Sequence, residues 1–158
     1  MAEANMIKAK QMYARVVEAF GGKGWRYQEH EDDLRVDISF GTDDLPVEMH
    51  VRIYPKIEAI CVTAPMSFKM PEDKRLDGAI AVCVANYGLI CGGFDYDIND
   101  GEISYRLSLL YTDTDVSCEA ITDMIGLTVS ASDNYNDKFF MLAKGMMTIE
   151  DFVAKENE

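Results

Sequence analysis

An acidic run in the second half of the chain has the residue types of a calcium site. Residues 95–101, Asp-x-Asp-x-Asn-Asp-Gly, resemble the start of an EF-hand loop. An EF-hand needs glycine at its sixth position and glutamate at its twelfth, whereas this run has Asp100 and Arg106 there. Alternating residues on both sides predict strands, so we interpret the run as a hairpin turn.

Histidines and possible nucleophiles give no catalytic set. His30 and His50 are not at metal-ligand spacing with other ligands on a predicted helix, and a solvated cross-strand network around His50 is favoured over a catalytic base. There is no Gly-x-Ser-x-Gly motif. Four cysteines lie in apolar runs without a Cys-x-x-Cys pair, which favours reduced, buried thiols over disulfides or zinc: Cys61, Cys83, Cys91 and Cys118. We predict no catalytic, cofactor-binding or metal-ligating residue.

Gly92 and Gly93 are adjacent but do not form a phosphate-binding loop. They open a predicted strand instead of leading from a strand into a helix. We predict a bulge or a close approach of the backbone there.

Hydrophobic spacing in the first half predicts one helix and then four strands. Apolar residues recur at three-to-four spacing over residues 6–20, with Asn5 as the N-cap and glycines from Gly21 ending the helix. From Trp25 the period becomes two, and short polar connections favour antiparallel hairpins. The last of these strands, from Ile57 to Ala64, is apolar on both sides, as in the middle of a sheet.

A second helix and a hairpin follow. Pro71 suits a first helical turn, Gly88 ends the helix, and one apolar stripe contains Leu76, Ile80, Cys83 and Tyr87. Two strands, residues 93–98 and 102–111, are then joined by an Asn-Asp-Gly turn that sets their register.

The last long helix begins after Ser117, a good N-cap. Its apolar residues recur at steps of three or four along one face of the helix, except for one step of seven, and Ser132 occupies the position missing from that step. We call this line of positions the seam. We therefore predict a continuous helix through residues 130–134, with a kink there as the alternative. Gly145 ends it, and residues 148–151 form a capping box for a short terminal helix. No linker or repeat divides the chain. We predict a single α+β domain over residues 1–158, of order α-ββββ-α-ββ-α, with residues 145–158 as a short terminal helix and tail.

Charge and hydropathy restrict the partners. The chain has 28 acidic and 15 basic residues, a net charge of −13, which disfavours nucleic acid binding. The acidity is explained by solubility, and attraction of basic partners is the alternative. The N-terminus lacks the apolar region of a secretory signal, and no window approaches the roughly 20 apolar residues of a membrane span. We therefore expect a cytoplasmic protein that does not bind membranes.

With this order of elements, the chain resembles the YbjN family of bacterial sensory transduction regulators, whose fold is similar to that of the type III secretion chaperones. The resemblance is clear in the second half and rests on element order in the first. It is carried by residues 84–88 (Val-Ala-Asn-Tyr-Gly), 93–106, 116–119 (Val-Ser-Cys-Glu) and 144–145 (Lys-Gly). It implies a bacterial, cytoplasmic, non-enzymatic and dimeric protein that binds a segment of another protein, and it supplies no catalytic or ligand residues.

Three functional hypotheses follow. The first is a protein-binding module, chaperone-like or regulatory, that captures a peptide without a cofactor. Its candidate contact residues are on polar strand faces, where ordinary solvated surface is the alternative: His50, Arg52, Tyr54 and Arg106. The second is a small-ligand sensor or enzyme whose acidic pocket forms only in three dimensions, for example from Asp95 and Asp97 with the first strands. The third is a homodimer that pairs through its long last helix.

Overall fold

The helices and strands follow the predicted order. The computed structural model describes residues 2–156. Its elements are α1 (Ala2–Gly22), β1 (Tyr27–His30), β2 (Arg35–Phe40), β3 (Val47–Tyr54), β4 (Ala59–Lys69), α2 (Arg75–Gly88), β5 (Gly93–Asp97), β6 (Glu102–Leu110), α3 (Cys118–Ala143) and α4 (Ile149–Glu156). The predicted α+β class, with a six-stranded antiparallel sheet, is confirmed.

The sheet has the order β1-β2-β3-β4-β6-β5, and each neighbouring pair is antiparallel. The first four strands are successive hairpins, as predicted. After β4 the chain forms α2, places β5 at the far edge of the sheet and returns as β6 between β5 and β4. This topology separates the first strands from the β5 edge by the whole width of the sheet.

The helices cover one face of the sheet, which we call the inner face. Alternate strand residues such as Val36, Val51 and Val62 are buried there. α1 contacts β2 and β3, whereas α3 contacts β3, β4 and β6. The predicted N-cap at Asn5 is wrong, because α1 already begins at Ala2 and Asn5 lies inside it.

Helix α3 is continuous from Cys118 to Ala143, so the predicted single helix through residues 130–134 is confirmed. Ser117 caps it, because its side chain accepts a hydrogen bond from the amide of Ala120 at 3.1 Å. The predicted seam positions are all buried: Ile121, Ile125, Thr128, Ser132, Tyr135, Phe139 and Leu142. Within the polar interval Ala131 and Ser132 are buried, whereas Ser130 and Asn134 face solvent, so the interval keeps the amphipathic pattern of the helix.

Helix α2 differs from its prediction. The apolar stripe faces solvent, with Leu76 72% and Tyr87 96% exposed. The buried face consists of smaller residues: Gly78, Ala81, Val82 and Ala85. Cys83, within the stripe, and Cys91 are exposed, so the prediction of buried thiols is wrong for these two and correct for Cys61.

The β5–β6 hairpin has the predicted register, with Phe94 opposite Tyr105. Its turn residue Gly101 has a φ of +80°, and a Cβ there would lie 2.1 Å from the Met70 carbonyl oxygen, so glycine is required. On the open edge of β5, the Asn86 side chain donates to the Phe94 carbonyl at 2.9 Å and accepts from the Phe94 amide at 2.7 Å. Asn86 thus occupies the position that a further strand would take.

Within residues 2–156, the helices are all too short or too polar to cross a bilayer.

Candidate functional site

The face of the sheet opposite the helices, which we call the outer face, carries the candidate residues. Cross-strand register arranges its side chains in rows perpendicular to the strands, and adjacent positions in a row are neighbours. One row runs Gln28, Asp37, His50, Thr63, Arg106. The next row runs His30, Arg35, Arg52, Cys61, Ser108.

The structure brings the four predicted contact residues to this one face. His50, Arg52 and Tyr54 lie at alternate positions of β3. Arg106 is two strands away on β6 and shares the row of His50, with Thr63 between them. Strands lie about 4.8 Å apart, so the His50 and Arg106 backbones are separated by roughly 10 Å.

Asp37 is the centre of a polar cluster on the outer face. His50 Nδ1 donates to Asp37 Oδ1 at 3.0 Å, and the Arg35 guanidinium reaches the same carboxylate, with Nε 2.9 Å from Oδ1. His30 Nε2 lies 3.0 Å from Asp37 Oδ2, without the alignment of a hydrogen bond. Both histidines of the chain therefore meet one carboxylate, and the contact of His50 is a cross-strand one, as the sequence favoured.

The cluster changes the ionisation of Asp37. Partial burial alone would raise its pKa, but the hydrogen bond and charge of His50, together with the charges of Arg35 and His30, outweigh burial and hold the pKa of Asp37 below its ordinary value. Asp37 is therefore ionised at neutral pH and serves as the counter-charge of the cluster.

Arg106 is engaged separately. Its guanidinium makes a two-point contact with Asp95, with Nε 2.9 Å from Oδ2 and one terminal nitrogen donating to Oδ1 at 2.9 Å. Asp97 Oδ1 accepts from the Asn99 amide at 2.8 Å, and Asp100 caps the Glu102 amide. The acidic run is thus a hairpin turn.

The acidic pocket offered as an example of a ligand site does not form. Asp95 and Asp97 are on β5 at one edge of the sheet, and the first strands begin at the other edge. Over residues 2–156 there is also no group of three or more histidine, cysteine or carboxylate side chains placed to hold a metal ion.

An apolar row borders the polar ones. It runs Tyr54, Ala59, Leu110, with Tyr54 41% and Leu110 61% exposed. The Arg52 guanidinium lies 5.8 Å from the centre of the Tyr54 ring. A groove of about 570 Å³ opens at this end of the sheet, and Arg52 and Tyr54 line it with Met6, Leu34 and Ile57. The outer face thus combines aromatic, aliphatic and guanidinium groups in one place.

Sequence reasoning missed Asp37 and Leu110. A hairpin that pairs Phe40 with Val47 also pairs Asp37 with His50, so the length of the β2–β3 connection was the signal for Asp37. Leu110 had no such signal, because its place beside Tyr54 depends on β6 pairing with β4 across a long intervening segment.

Solved structures share this fold. The chain superimposes on YbjN from E. coli, described as "a putative transcription regulator", with a TM-score of 0.59, 10% identity and coverage of 80% of this chain and 92% of that one. For a chain of the ExsC–ExsE complex the TM-score is 0.57, with 12% identity and coverage of 80% and 92%. For the HopA1–SchA chaperone-effector complex the TM-score is 0.56, with 10% identity and coverage of 83% and 97%. The type III secretion chaperone-like fold expected from the sequence is confirmed.

No curated protein matches the chain. The sequence pattern of the YbjN family, described as "Putative bacterial sensory transduction regulator", matches residues 13–141, which include every strand of the sheet. This span is well over half of the chain, and the expected resemblance is confirmed. The chain therefore belongs to the YbjN family.

Proposed function

We propose that the chain is a non-enzymatic, cytoplasmic protein-binding module, chaperone-like or regulatory, that binds a segment of a partner protein on the outer face of its sheet. The observation that carries this proposal is the uncovered outer face, where exposed Tyr54 and Leu110 lie beside Arg52. Tyrosine and arginine are enriched in protein interfaces, where an aromatic anchor and a planar cation contribute most.

The comparisons support the same class of function. Two of the similar structures are complexes, ExsC–ExsE and HopA1–SchA, and the second is a chaperone-effector complex. The shared fold makes a protein segment a reasonable ligand for this chain as well.

Site-specific photocrosslinking in bacterial cells tests the proposal. A benzoylphenylalanine residue at position 54 samples the outer face, and one at position 127, on α3, samples the helix side. The two positions are comparable, because Leu127 is 46% and Tyr54 41% exposed. We expect one or a few discrete crosslinked partners from position 54 and none of these from position 127. The same products from both positions, or no product from position 54, would contradict the proposal.

A second copy of the chain is the partner we propose for the exposed α2 stripe. Leu76, Ile80, Cys83 and Tyr87 lie on one side of the helix, without a charged residue among them. Leu76, Ile80 and Tyr87 alone expose roughly 400 Å² per copy, so a symmetric pair with its rim reaches about 1,000 Å², the lower limit of a specific interface. An uncharged stripe suits pairing with itself, whereas the outer face carries charges that need a complement.

Light scattering after size-exclusion chromatography measures whether the chain is a dimer and, with variants, whether it dimerises through α2 or through α3. We expect the native chain and Leu127→Glu to be dimers and Ile80→Glu to be a monomer with an unchanged circular dichroism spectrum. This α2 dimer replaces the hypothesis of pairing through the last helix, because the apolar seam of α3 is buried inside the chain. A monomeric native chain, or a dimeric Ile80→Glu variant, would contradict the α2 interface.

A further inference from the structure

Three groups that are cationic or can become so stand side by side on the outer face. In one row, His30 pairs with Arg35 and Arg35 pairs directly with Arg52. Like charges opposite each other on neighbouring strands repel, so this row is unfavourable unless an anion lies between them. The whole chain, by contrast, has a net charge of −13.

The counter-charge for this row is incomplete. Asp37, one row away, is shared by His30, Arg35 and His50. Arg52 is exposed, and no carboxylate of residues 2–156 lies within 4.0 Å of its guanidinium. Asp32 and Asp33 also line the groove that Arg52 shares, beyond ion-pair distance of its guanidinium. Arg52 is therefore a cation of this face that is available to an incoming anion.

An apolar site adjoins this cation at a spacing that an extended peptide can match. Arg52 and Tyr54 are two residues apart on β3, which places their side chains on the same face roughly 7 Å apart. In an extended peptide, residues i and i+2 have the same separation and also point the same way. The groove beside Tyr54 offers the exposed side chains of Met6 and Ile57 to an apolar residue.

We propose that the outer face selects partner segments that are acidic and extended, with a carboxylate at position i that pairs with Arg52 and Arg35 and a large apolar residue at i+2 that enters the groove beside Tyr54. This inference rests on the proposed function, because it specifies the ligand of the same face. The net charge alone predicts the opposite preference, because a protein with a net charge of −13 attracts basic segments. Nucleic acid also offers anions, but its many phosphates would face the acidic remainder of the surface.

Titration of the ¹⁵N-labelled full chain with defined probes tests the inference. In three peptides of equal length every second residue is serine, and the residues between the serines alternate leucine with glutamate, glutamine or lysine, so that a leucine lies two residues after each test residue. A fourth probe is an oligothymidylate of similar length. We expect the glutamate peptide to bind about tenfold more tightly than the glutamine peptide, and the lysine peptide to bind more weakly still. The largest changes in backbone amide chemical shift should occur in β2 and β3, and the affinity for the glutamate peptide should decrease as salt is added.

Substitutions locate the effect. Arg52→Ala should weaken binding of the glutamate peptide about tenfold, and Arg52→Lys should restore part of the affinity. Lys10→Ala removes an exposed charge from α1 and should leave the affinity for this peptide unchanged. Tighter binding of the lysine peptide, or equal binding of the oligothymidylate at the same amides, would overturn the inference. If position 54 still crosslinks to partners while the glutamate and glutamine peptides bind equally, the acidic selection fails and the proposed function stands. If position 54 captures nothing, both fail.

Discussion

Asp37 controls the electrostatics of the outer face at the scale of single residues. One carboxylate receives His50, Arg35 and His30, each from a position fixed by cross-strand register. Side chains that share one counter-ion are coupled, so the loss of Asp37 affects all three at once. This makes Asp37 a sensitive point for measurement.

We predict that Asp37→Asn destabilises the fold by about 1 kcal/mol at neutral pH, a modest value because the cluster is partly exposed. The folded-state pKa of Asp37 is below its ordinary value of 3.8. Its contribution is therefore complete above the unfolded-state pKa and is lost as the pH falls through the lower folded-state pKa. Urea unfolding of the native chain and of Asp37→Asn at a series of pH values measures this. The difference between their free energies of unfolding should decrease as the pH is lowered.

Asp123→Asn is the matched control, because it makes the same chemical change at an exposed position of α3, away from the cluster. A difference between Asp37→Asn and the native chain that stays the same at pH 7 and at about pH 3 would contradict the ionic role of Asp37.

At the scale of elements, α2 and α3 show what hydrophobic spacing does and does not determine. The α3 seam could be predicted because its large residues are the ones that are buried. On α2 the large residues are outside and the small ones inside, because a close approach to the hairpin requires small side chains. Spacing identifies two faces of a helix, but the choice between them depends on the shape of the neighbouring surface.

Gly78 shows this constraint directly and gives a prediction. A Cβ on Gly78 would lie 2.7 Å from both the Tyr96 hydroxyl and Met70 Cγ, whereas a Cβ on Gly126 in α3 would meet nothing within 4 Å. Gly78→Ala should therefore destabilise the chain by about 1–3 kcal/mol, while Gly126→Ala stabilises it by about 0.5–1 kcal/mol through helix propensity. Chemical denaturation of the two variants measures these opposite signs, and stabilisation by Gly78→Ala would contradict the close packing of α2.

The β5 edge is a second element whose order depends on one side chain. Asn86 satisfies both the amide and the carbonyl of Phe94. We predict that Asn86→Ala costs about 1–3 kcal/mol, because it leaves two partly buried backbone groups without partners. Hydrogen exchange at the Phe94 amide should accelerate in this variant. Asn134→Ala, an exposed change on α3, should leave that exchange rate as it is, and slow exchange at Phe94 in Asn86→Ala would exclude the role of Asn86.

At the scale of the whole molecule, the sheet and α3 connect the two ends of the chain. Arg15 on α1 donates to the Val116 carbonyl at 3.1 Å, and α1 contacts α3. The order of elements and the local hairpins were accessible from sequence because they depend on neighbouring residues. The row that joins β3 to β6, and with it the placing of Arg106 and Leu110 relative to β3, was not, because it depends on a pairing between β4 and β6 that spans α2 and β5.

We propose on this basis that the chain unfolds as one cooperative domain, and a remote substitution tests it. Trp25 is the single tryptophan and packs against Phe20 and Phe40 at the α1 end. Trp25 fluorescence and far-ultraviolet circular dichroism should give the same denaturant midpoint, because a two-state domain loses all its structure together. Gly78→Ala, at the α2 end, should lower both midpoints equally. A variant that unfolds early by circular dichroism while Trp25 keeps its native midpoint would show that the two ends are independent units.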